Sequence, residues 1–208
     1  MQGKKADLKK EFPNLYNPPR DPHILEIPDM RFFMVDGTGY PVDNPLYQEA
    51  MQLLYGASFT LKMSVMKPTG KDYVVPPLEG LWWADDMTVF TDSYMERKDE
   101  WKWTSMIRIP DFVKEEQIKK ALVLFKEKKN PLNFNKLRYE TFSEGTVVQV
   151  LHLGPFSEEG PVIANMHKYA EEKGYLLHNK HHEIYLSDPR RTKPEKLRTV
   201  IRQPIKKN

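Results

Sequence analysis

Trp103-Thr104-Ser105-Met106-Ile107-Arg108-Ile109-Pro110 has a faded copy near the other end of the chain, Leu197-Arg198-Thr199-Val200-Ile201-Arg202-Gln203-Pro204. Each octapeptide has the length and β-branched content of a strand, and each closes a similar series of preceding segments. Working back from the two copies, Phe33 to Gly39 aligns with Val148 to Gly154, and the order strand, helix, strand, strand recurs. The expected fold is therefore α+β, a tandem βαββ duplication. Two such modules must bury their unsatisfied faces against each other, and the seam between them is a natural place for a ligand cleft.

Outward from this repeat, helical and strand patterns alternate between proline and glycine breaks. Leu8, Phe12 and Leu15 have helical spacing and run into Asn17-Pro18-Pro19-Arg20-Asp21-Pro22, so residues 1–22 are expected to form a helix and a linker. The first module, 23–112, is expected to hold strands at 23–27, 31–36, 60–66, 73–75, 78–84 and 102–109, with the polar excursion 85–100 before the last of them. Its helix starts at Asn44 as N-cap with Pro45 in the first turn and is expected to stop at Gly56. The second module, 113–208, is expected to comprise helices at 114–128 and 161–173 and strands at 139–143, 146–153, 181–187 and 196–203, with Gly174 ending the second helix.

Composition narrows the function classes. The 32 Lys and Arg against 29 Asp and Glu give a formal charge of only +3, with the signs interspersed, so the basic footprint of a nucleic-acid binder is missing. The absence of cysteine excludes disulfides, thiolate metal sites and a cysteine nucleophile. The start, MQGKKADLKKEF, lacks the apolar stretch of a signal peptide, and no run approaches the roughly 18 apolar residues that span a bilayer. A cytoplasmic protein with no membrane partner is the default expectation. No GxSxG elbow, phosphate loop or dinucleotide fingerprint is present. His178, His181 and His182 cluster, but adjacent strand residues face opposite sides and no HExxH helix exists, so neither a metal nor a cofactor is expected.

In His181-His182-Glu183-Ile184-Tyr185-Leu186, strand alternation puts Glu183 and Tyr185 on one face. The matching place in the first copy is taken as Pro77-Leu78-Glu79-Gly80-Leu81-Trp82-Trp83, where Glu79, Leu81 and Trp83 share a face. Trp101 and Trp103 share a face with Ser105 and Ile107. Adjacent tryptophans on a strand cannot both enter one core, so some of these rings are expected to line a pocket. An aromatic wall with one embedded acid suits a flat, lipophilic ligand that is cationic or electron-poor. The plainer reading, in which Glu183 is a solvated strand residue, stays open at this point.

Asp7-Leu8-Lys9-Lys10-Glu11-Phe12, Arg31-Phe32-Phe33-Met34-Val35-Asp36-Gly37, Pro76 to Trp83, Trp103 to Phe112 and His182 to Leu186 together resemble the GyrI-like (gyrase-inhibitor-like) small-molecule-binding family. The resemblance implies the effector-binding fold of multidrug regulators, with a ligand cleft between two βαββ modules. The LEGLWW segment and the W-x-x-x-I-R-x-P segment are similar to those of a stand-alone subgroup, the cyclopropanoid cyclopropyl hydrolases. These open the strained ring of DNA-alkylating natural products of the yatakemycin type. What this implies here is xenobiotic detoxification, with Glu183 and Tyr185 as catalytic candidates and Trp83 and Trp103 as ligand-binding ones. Tyr73, His152 and Phe156 are added as further ligand-binding candidates from their positions. The expected partners are lipophilic aromatic or electrophilic small molecules. A non-catalytic multidrug-binding or sensing protein is the alternative, and a gyrase interaction is a third, weaker one.

Overall fold

The computed structural model describes residues 5–90 and 96–208. The first four residues of the charged start and residues 91–95 of the polar excursion lie outside this range. One antiparallel sheet organises the chain. Its strands are β1 (His23–Ile27), β2 (Met30–Thr38), β3 (Leu78–Trp83), β4 (Lys102–Ile109), β5 (Arg138–Phe142), β6 (Gly145–Leu153), β7 (Tyr175–Leu177), β8 (His181–Tyr185) and β9 (Arg198–Lys207). They lie in the order β1-β6-β9-β8-β3-β4-β2-β5, with β7 beside β9. The fold is α+β, a tandem βαββ duplication.

The two copies meet at β3 and β8, which pair with Leu78 opposite Tyr185 and Gly80 opposite Glu183. The outer edges are exchanged. β1, which precedes the first copy, pairs with β6 of the second, and β5, which precedes the second, pairs with β2 of the first. A cut between residues 112 and 113 would therefore strip an edge strand from each half.

Five helices accompany the sheet among the described residues: α1 (Leu8–Glu11), α2 (Pro13–Tyr16), α3 (Pro45–Thr60), α4 (Glu115–Lys129) and α5 (Glu159–Glu172). The single N-terminal helix read from the sequence is two short ones, divided at Pro13, where proline is at home in the first turn of a helix but not in its interior. Asn44 caps α3 as expected, its Oδ1 accepting from the amides of Leu46 and Tyr47 at 2.9 and 3.4 Å. Gly56 does not end that helix. It lies against the ring of Phe125 on α4, and a Cβ there would collide with that ring, so this glycine serves close helix packing.

Residues 60–66, expected as a strand, continue the helix as a π-helical turn at Leu61–Met66. Leu53, Ala57, Leu61 and Val65 are all buried at four-residue spacing, and that period, longer than the β-branched cluster, decides the matter. Residues 73–75 form no strand either, only an isolated bridge from Tyr73 to Ala6. α5 begins two residues earlier than expected, at Glu159. No helix among the described residues is long and apolar enough to cross a membrane.

Alternation assigns each strand residue to a face. Phe33, Val35 and Ile107 pack under α3 and α4, and Val148, Val150 and Ile201 pack under α5. The opposite face, with Phe32, Met34, Met106, Ile184 and Val200, is covered by Leu8, Leu15 and Tyr16 from α1 and α2. The repeated motif now has a reason. Arg108 and Arg202 occupy equivalent places on this back face, both buried. Arg108 lies 4.7 Å over the Phe12 ring, and Arg202 donates to the Leu15 carbonyl at 3.4 Å. Each copy thus holds down part of the N-terminal segment.

Arg202 belongs to a buried polar staple across the seam. His182, fully enclosed, has Nδ1 2.8 Å from Glu144 Oε1 and Nε2 3.0 Å from Glu79 Oε2. Arg202 donates from Nη1 to Glu144 Oε2 at 3.0 Å and from Nε to Gln149 Oε1 at 3.1 Å. Gln149 in turn donates to the Asn14 carbonyl at 2.6 Å. With a carboxyl oxygen at each ring nitrogen, His182 must carry both protons. Burial opposes its charge, yet Glu144 and Glu79 outweigh burial and push its pKa up to about 9. Burial likewise opposes ionisation of Glu144, and His182 with Arg202 overrides it, holding that carboxyl down at about 2.

The pH dependence follows by linkage. The His182 contribution to stability is complete below its ordinary value of 6.5 and is lost as pH rises through about 9. The Glu144 contribution is complete above 4.5 and is lost as pH falls through about 2. The denaturant midpoint should therefore be highest between these limits and fall on both sides. Replacing His182→Gln together with Glu144→Gln should flatten both shoulders, and parallel profiles for parent and variant would contradict the assignment.

Candidate functional site

α3 packs over β2 and β4, and α5 packs over β6 and β9, which leaves the helical face of β3 and β8 between them. There the three side chains His181, Glu183 and Tyr185 are half-buried, while His182 and Ile184, pointing backward, are buried. Register fixes what lies on this strip. One line across β3, β8, β9 and β6 is Leu78, Tyr185, Thr199 and His152, and the next is Gly80, Glu183, Ile201 and Val150.

Gly80 is the floor of the site. A Cβ built on it would lie 2.9 Å from Trp82 Nε1 and 3.1 Å from the Tyr185 hydroxyl oxygen. Only bare backbone lets those two side chains meet above it. They do meet: Trp82 Nε1 donates to the Tyr185 hydroxyl at 2.8 Å, and that hydroxyl donates to Glu183 Oε2, also at 2.8 Å. Glu183 Oε1 lies 3.3 Å from His181 Nε2. Burial, then the adjacent Glu183, raise the Tyr185 pKa well above its ordinary value, so the phenol keeps its proton and orients the carboxyl. With a side chain 16% exposed, Glu183 retains lone pairs that a water or a cationic ligand atom can use.

Aromatic rings extend outward from this hydrogen-bonded chain. Phe156 stands edge-on to Tyr185 with centroids 5.8 Å apart. Trp82 packs edge-on to Trp101 at 5.8 Å, and Trp101 contacts Tyr40 at 5.3 Å and Phe90 at 4.9 Å. Tyr47 of α3 stands edge-on to Trp103 at 5.1 Å. Burial pushes its phenol up to about 12, with the Ser105 hydroxyl opposing and Glu183 adding to the rise.

The structure thus brings together Glu183, Tyr185, His152 and Phe156 of the expected residues. His152 is the least free of them, because its Nε2 lies 3.1 Å from the Pro155 carbonyl and must be the donor. Trp103 is on the helical face but fully buried, donating to the Gly39 carbonyl at 3.1 Å. It is packed so tightly that a Cβ on Gly37 would fall on its indole, so it anchors the wall from behind. Tyr73 lies in the core on Phe112 at 6.0 Å, beside Ala6 rather than beside Glu183. Trp83 is displaced altogether. It points to the back face, where Lys180 Nζ sits 3.3 Å over its ring, and Trp82 takes the place expected for it.

Glu159 was not singled out in the sequence. The first residue of α5, it is 5% exposed and its Oε1 has no hydrogen-bond partner among the described residues. Burial, reinforced by the nearby Glu183, pushes its pKa up to about 9, with the Thr199 hydroxyl opposing. A glutamate at a helix start is ordinarily a solvated dipole partner, and no periodic signal marks this one as enclosed.

Among the described residues no group of three or more His, Asp and Glu is placed to hold a metal ion. A separate hollow of about 180 Å³, lined by Leu81, Phe142, Asn179, Lys180 and Pro204, lies behind the sheet and excludes Glu183.

Tyr185→Phe removes the acceptor of Trp82 and the donor to Glu183 at once. The expected loss is about 1–3 kcal/mol of unfolding free energy, the cost of a buried group left without its partner. A denaturant titration that places the variant level with the parent would contradict the hydrogen-bonded chain.

Three comparisons bear on this chain. The model for the GyrI-like small molecule binding domain matches residues 20–206. Among solved structures, an uncharacterized conserved protein from Listeria innocua is 43% identical, with TM-score 0.87, covering 97% of this chain and 100% of its own. A protein from Listeria innocua described as a hydrolase is 41% identical, with TM-score 0.82 and the same coverage. The C-terminal domain of EcmrR shares the fold at 15% identity and TM-score 0.59, covering 90% of this chain and 98% of its own. No curated protein matches. A duplicated βαββ sheet matched along nearly its whole length leaves one conclusion: the chain belongs to the GyrI-like small-molecule-binding family.

Proposed function

We propose that the protein binds flat, lipophilic electrophiles on the strip between α3 and α5 and hydrolyses the activated cyclopropane of DNA-alkylating cyclopropanoids, as a detoxifying enzyme. The observation that carries this reading is the hydrogen-bonded chain Trp82, Tyr185, Glu183, whose two aromatic members meet over the bare backbone of Gly80. A hydrolase description for a relative 41% identical over 97% of the chain supports it.

In this reading the rings of Trp82, Tyr185 and Phe156 hold the planar ligand, and Glu183 orients a water and accepts its proton. The oxygen of that water forms a bond to the cyclopropane methylene as the shared ring bond breaks. Its electron pair moves into the conjugated system of the ligand. Ring strain supplies much of the driving force, so the protein mainly has to position water and exclude bulk solvent. Tyr185 keeps Glu183 in place with a hydrogen bond that needs no rearrangement during the reaction.

The test is incubation of excess cyclopropanoid with the protein, followed by mass. Multiple turnovers to the water adduct are expected, whereas stoichiometric trapping would leave a binding protein only. Glu183→Gln should lower turnover about 10²-fold or more, the usual range for loss of a general base. Trp82→Ala should weaken it about tenfold, in line with one lost aromatic contact of roughly 1 kcal/mol or more, while Trp83→Ala should stay near the parent. A larger effect from Trp83 than from Trp82 would refute the assignment of the wall.

A further inference from the structure

Two acidic side chains approach the same strip from different elements. Glu183 rises from β8 with its oxygens near Tyr185 and His181. Glu159 comes from the start of α5, which packs over β6 and β9, and feels both Glu183 and Thr199, the β9 residue opposite Tyr185 and His152. Their surroundings differ sharply. Glu183 has a donor and some access to solvent, whereas Glu159 is 5% exposed and its Oε1 is without a hydrogen-bond partner among the described residues.

An ionised Glu159 would be a nearly enclosed charge next to a second acidic group. The partial positive charge at the start of α5 favours ionisation by only about 0.3–1 kcal/mol, less than the several kcal/mol that enclosing an unpaired carboxylate costs. The balance leaves the proton on Glu159 at neutral pH, in agreement with its value of about 9. Paired carboxyl groups whose environments push them apart are how a site obtains an acid and a base from one residue type.

The other polar groups facing this strip are committed or too weak as acids. The Tyr185 hydroxyl donates to Glu183, Trp82 Nε1 donates to Tyr185, and His152 Nε2 is turned to the Pro155 carbonyl. Tyr47 of α3 is a phenol made still weaker by burial, Thr199 offers an alcohol, and His181 lies against Glu183. His167 of α5 is pushed down to about 4 by burial and then by His181, so it is neutral at the pH of turnover and is no acid.

We propose that the Glu159 carboxyl is the proton donor of the site, delivering its proton to a carbonyl oxygen of the bound ligand while Glu183 takes one from the attacking water. The inference rests on the hydrolytic reading above and adds the acid that reading lacks, the ligand being, as there, a cyclopropane conjugated to a carbonyl, such as a cyclopropane-fused cyclohexadienone. The water oxygen bonds to the methylene carbon and the shared carbon–carbon bond breaks. The released pair aromatises the dienone, and the oxygen that gains the charge takes the Glu159 proton to become a phenol. The product is the substrate plus one water. Glu159 then regains a proton and Glu183 loses one through solvent, so no oxidant, reductant or co-reactant is consumed.

The experiment follows turnover of a cyclopropane-fused cyclohexadienone from pH 6 to 10 by the parent and by Glu159→Gln, with substrate quenching of tryptophan fluorescence as an independent measure of binding. The parent should lose kcat as pH rises through about 9, where Glu159 gives up its proton. Glu159→Gln, a neutral amide of the same shape, should bind as the parent does, lose kcat about 10²-fold and lack that alkaline decline. His182 titrates in the same range but lies on the back face and is unchanged in the variant, so the difference between the profiles belongs to Glu159. Full parental turnover with an unchanged alkaline limb in Glu159→Gln would overturn the donor role while leaving the hydrolytic reading intact. A parent that binds the dienone without turning it over would overturn both. Should the variant not fold, a parental rate that stays flat or rises through pH 10 still excludes Glu159 as the acid.

Discussion

The pairing of β3 with β8, which sets Gly80 opposite Glu183, is the contact on which the rest of the structure depends. It joins two βαββ copies into one sheet and makes its two faces into different environments. On the back face His182 reaches from β8 to Glu79 on β3 and is locked to Glu144 and, through it, to Arg202. On the helical face the next residue along, Glu183, is tied by Tyr185 to Trp82 of the other copy. Each face thus has its own polar crossing of the seam, one enclosed and one partly open. A period of two along a single strand separates a staple from a site.

Divergence between the copies supplies the space. Ser105 and Thr199 hold the same place in the repeated octapeptide, and they face Gly80 and Tyr185 respectively. Ile107 and Ile201 are likewise equivalent, and they face Leu78 and Glu183. The first copy therefore contributes a bare floor and an aliphatic side chain where the second contributes a phenol and an acid. Had both copies kept the bulky residue, the Tyr185 hydroxyl would have had no room to lie over the seam. α5 then adds a second carboxyl, Glu159, in a far less solvated setting than Glu183.

Much of this was legible in the sequence because the signals were periodic and repeated. The octapeptide repeat gave the duplication, and alternation put Glu183 with Tyr185 and set His181 apart from His182. The placement of Trp83 failed for a specific reason. With residues 77–83 taken as the match of 181–186, Trp83 was grouped on one face with Glu79 and Leu81 and expected at the ligand, whereas the sheet sets Gly80 opposite Glu183, and a slip of one residue exchanges the faces of a strand. The helical face therefore presents Trp82 beside Tyr185. Residues 60–66 look like a strand by composition, and only the continuing four-residue spacing through Gly56 marks them as helical. Glu159 gave no signal, since its burial depends on where α5 lands on β9. The staple was equally hidden, because a lone histidine on a strand does not announce partners as far away in the chain as Glu79 and Glu144.

The proposed function requires ligands to be held on the helical face at the seam, over Gly80 and against Glu183. A crystal structure of the protein soaked with a flat aromatic electrophile tests it most directly. Density between α3 and α5, in contact with Trp82 and within hydrogen-bond reach of Glu183 directly or through one water, is the predicted result. A ligand seated instead in the hollow behind the sheet, against Leu81, Phe142 and Lys180, with the Glu183 face empty, would contradict the account.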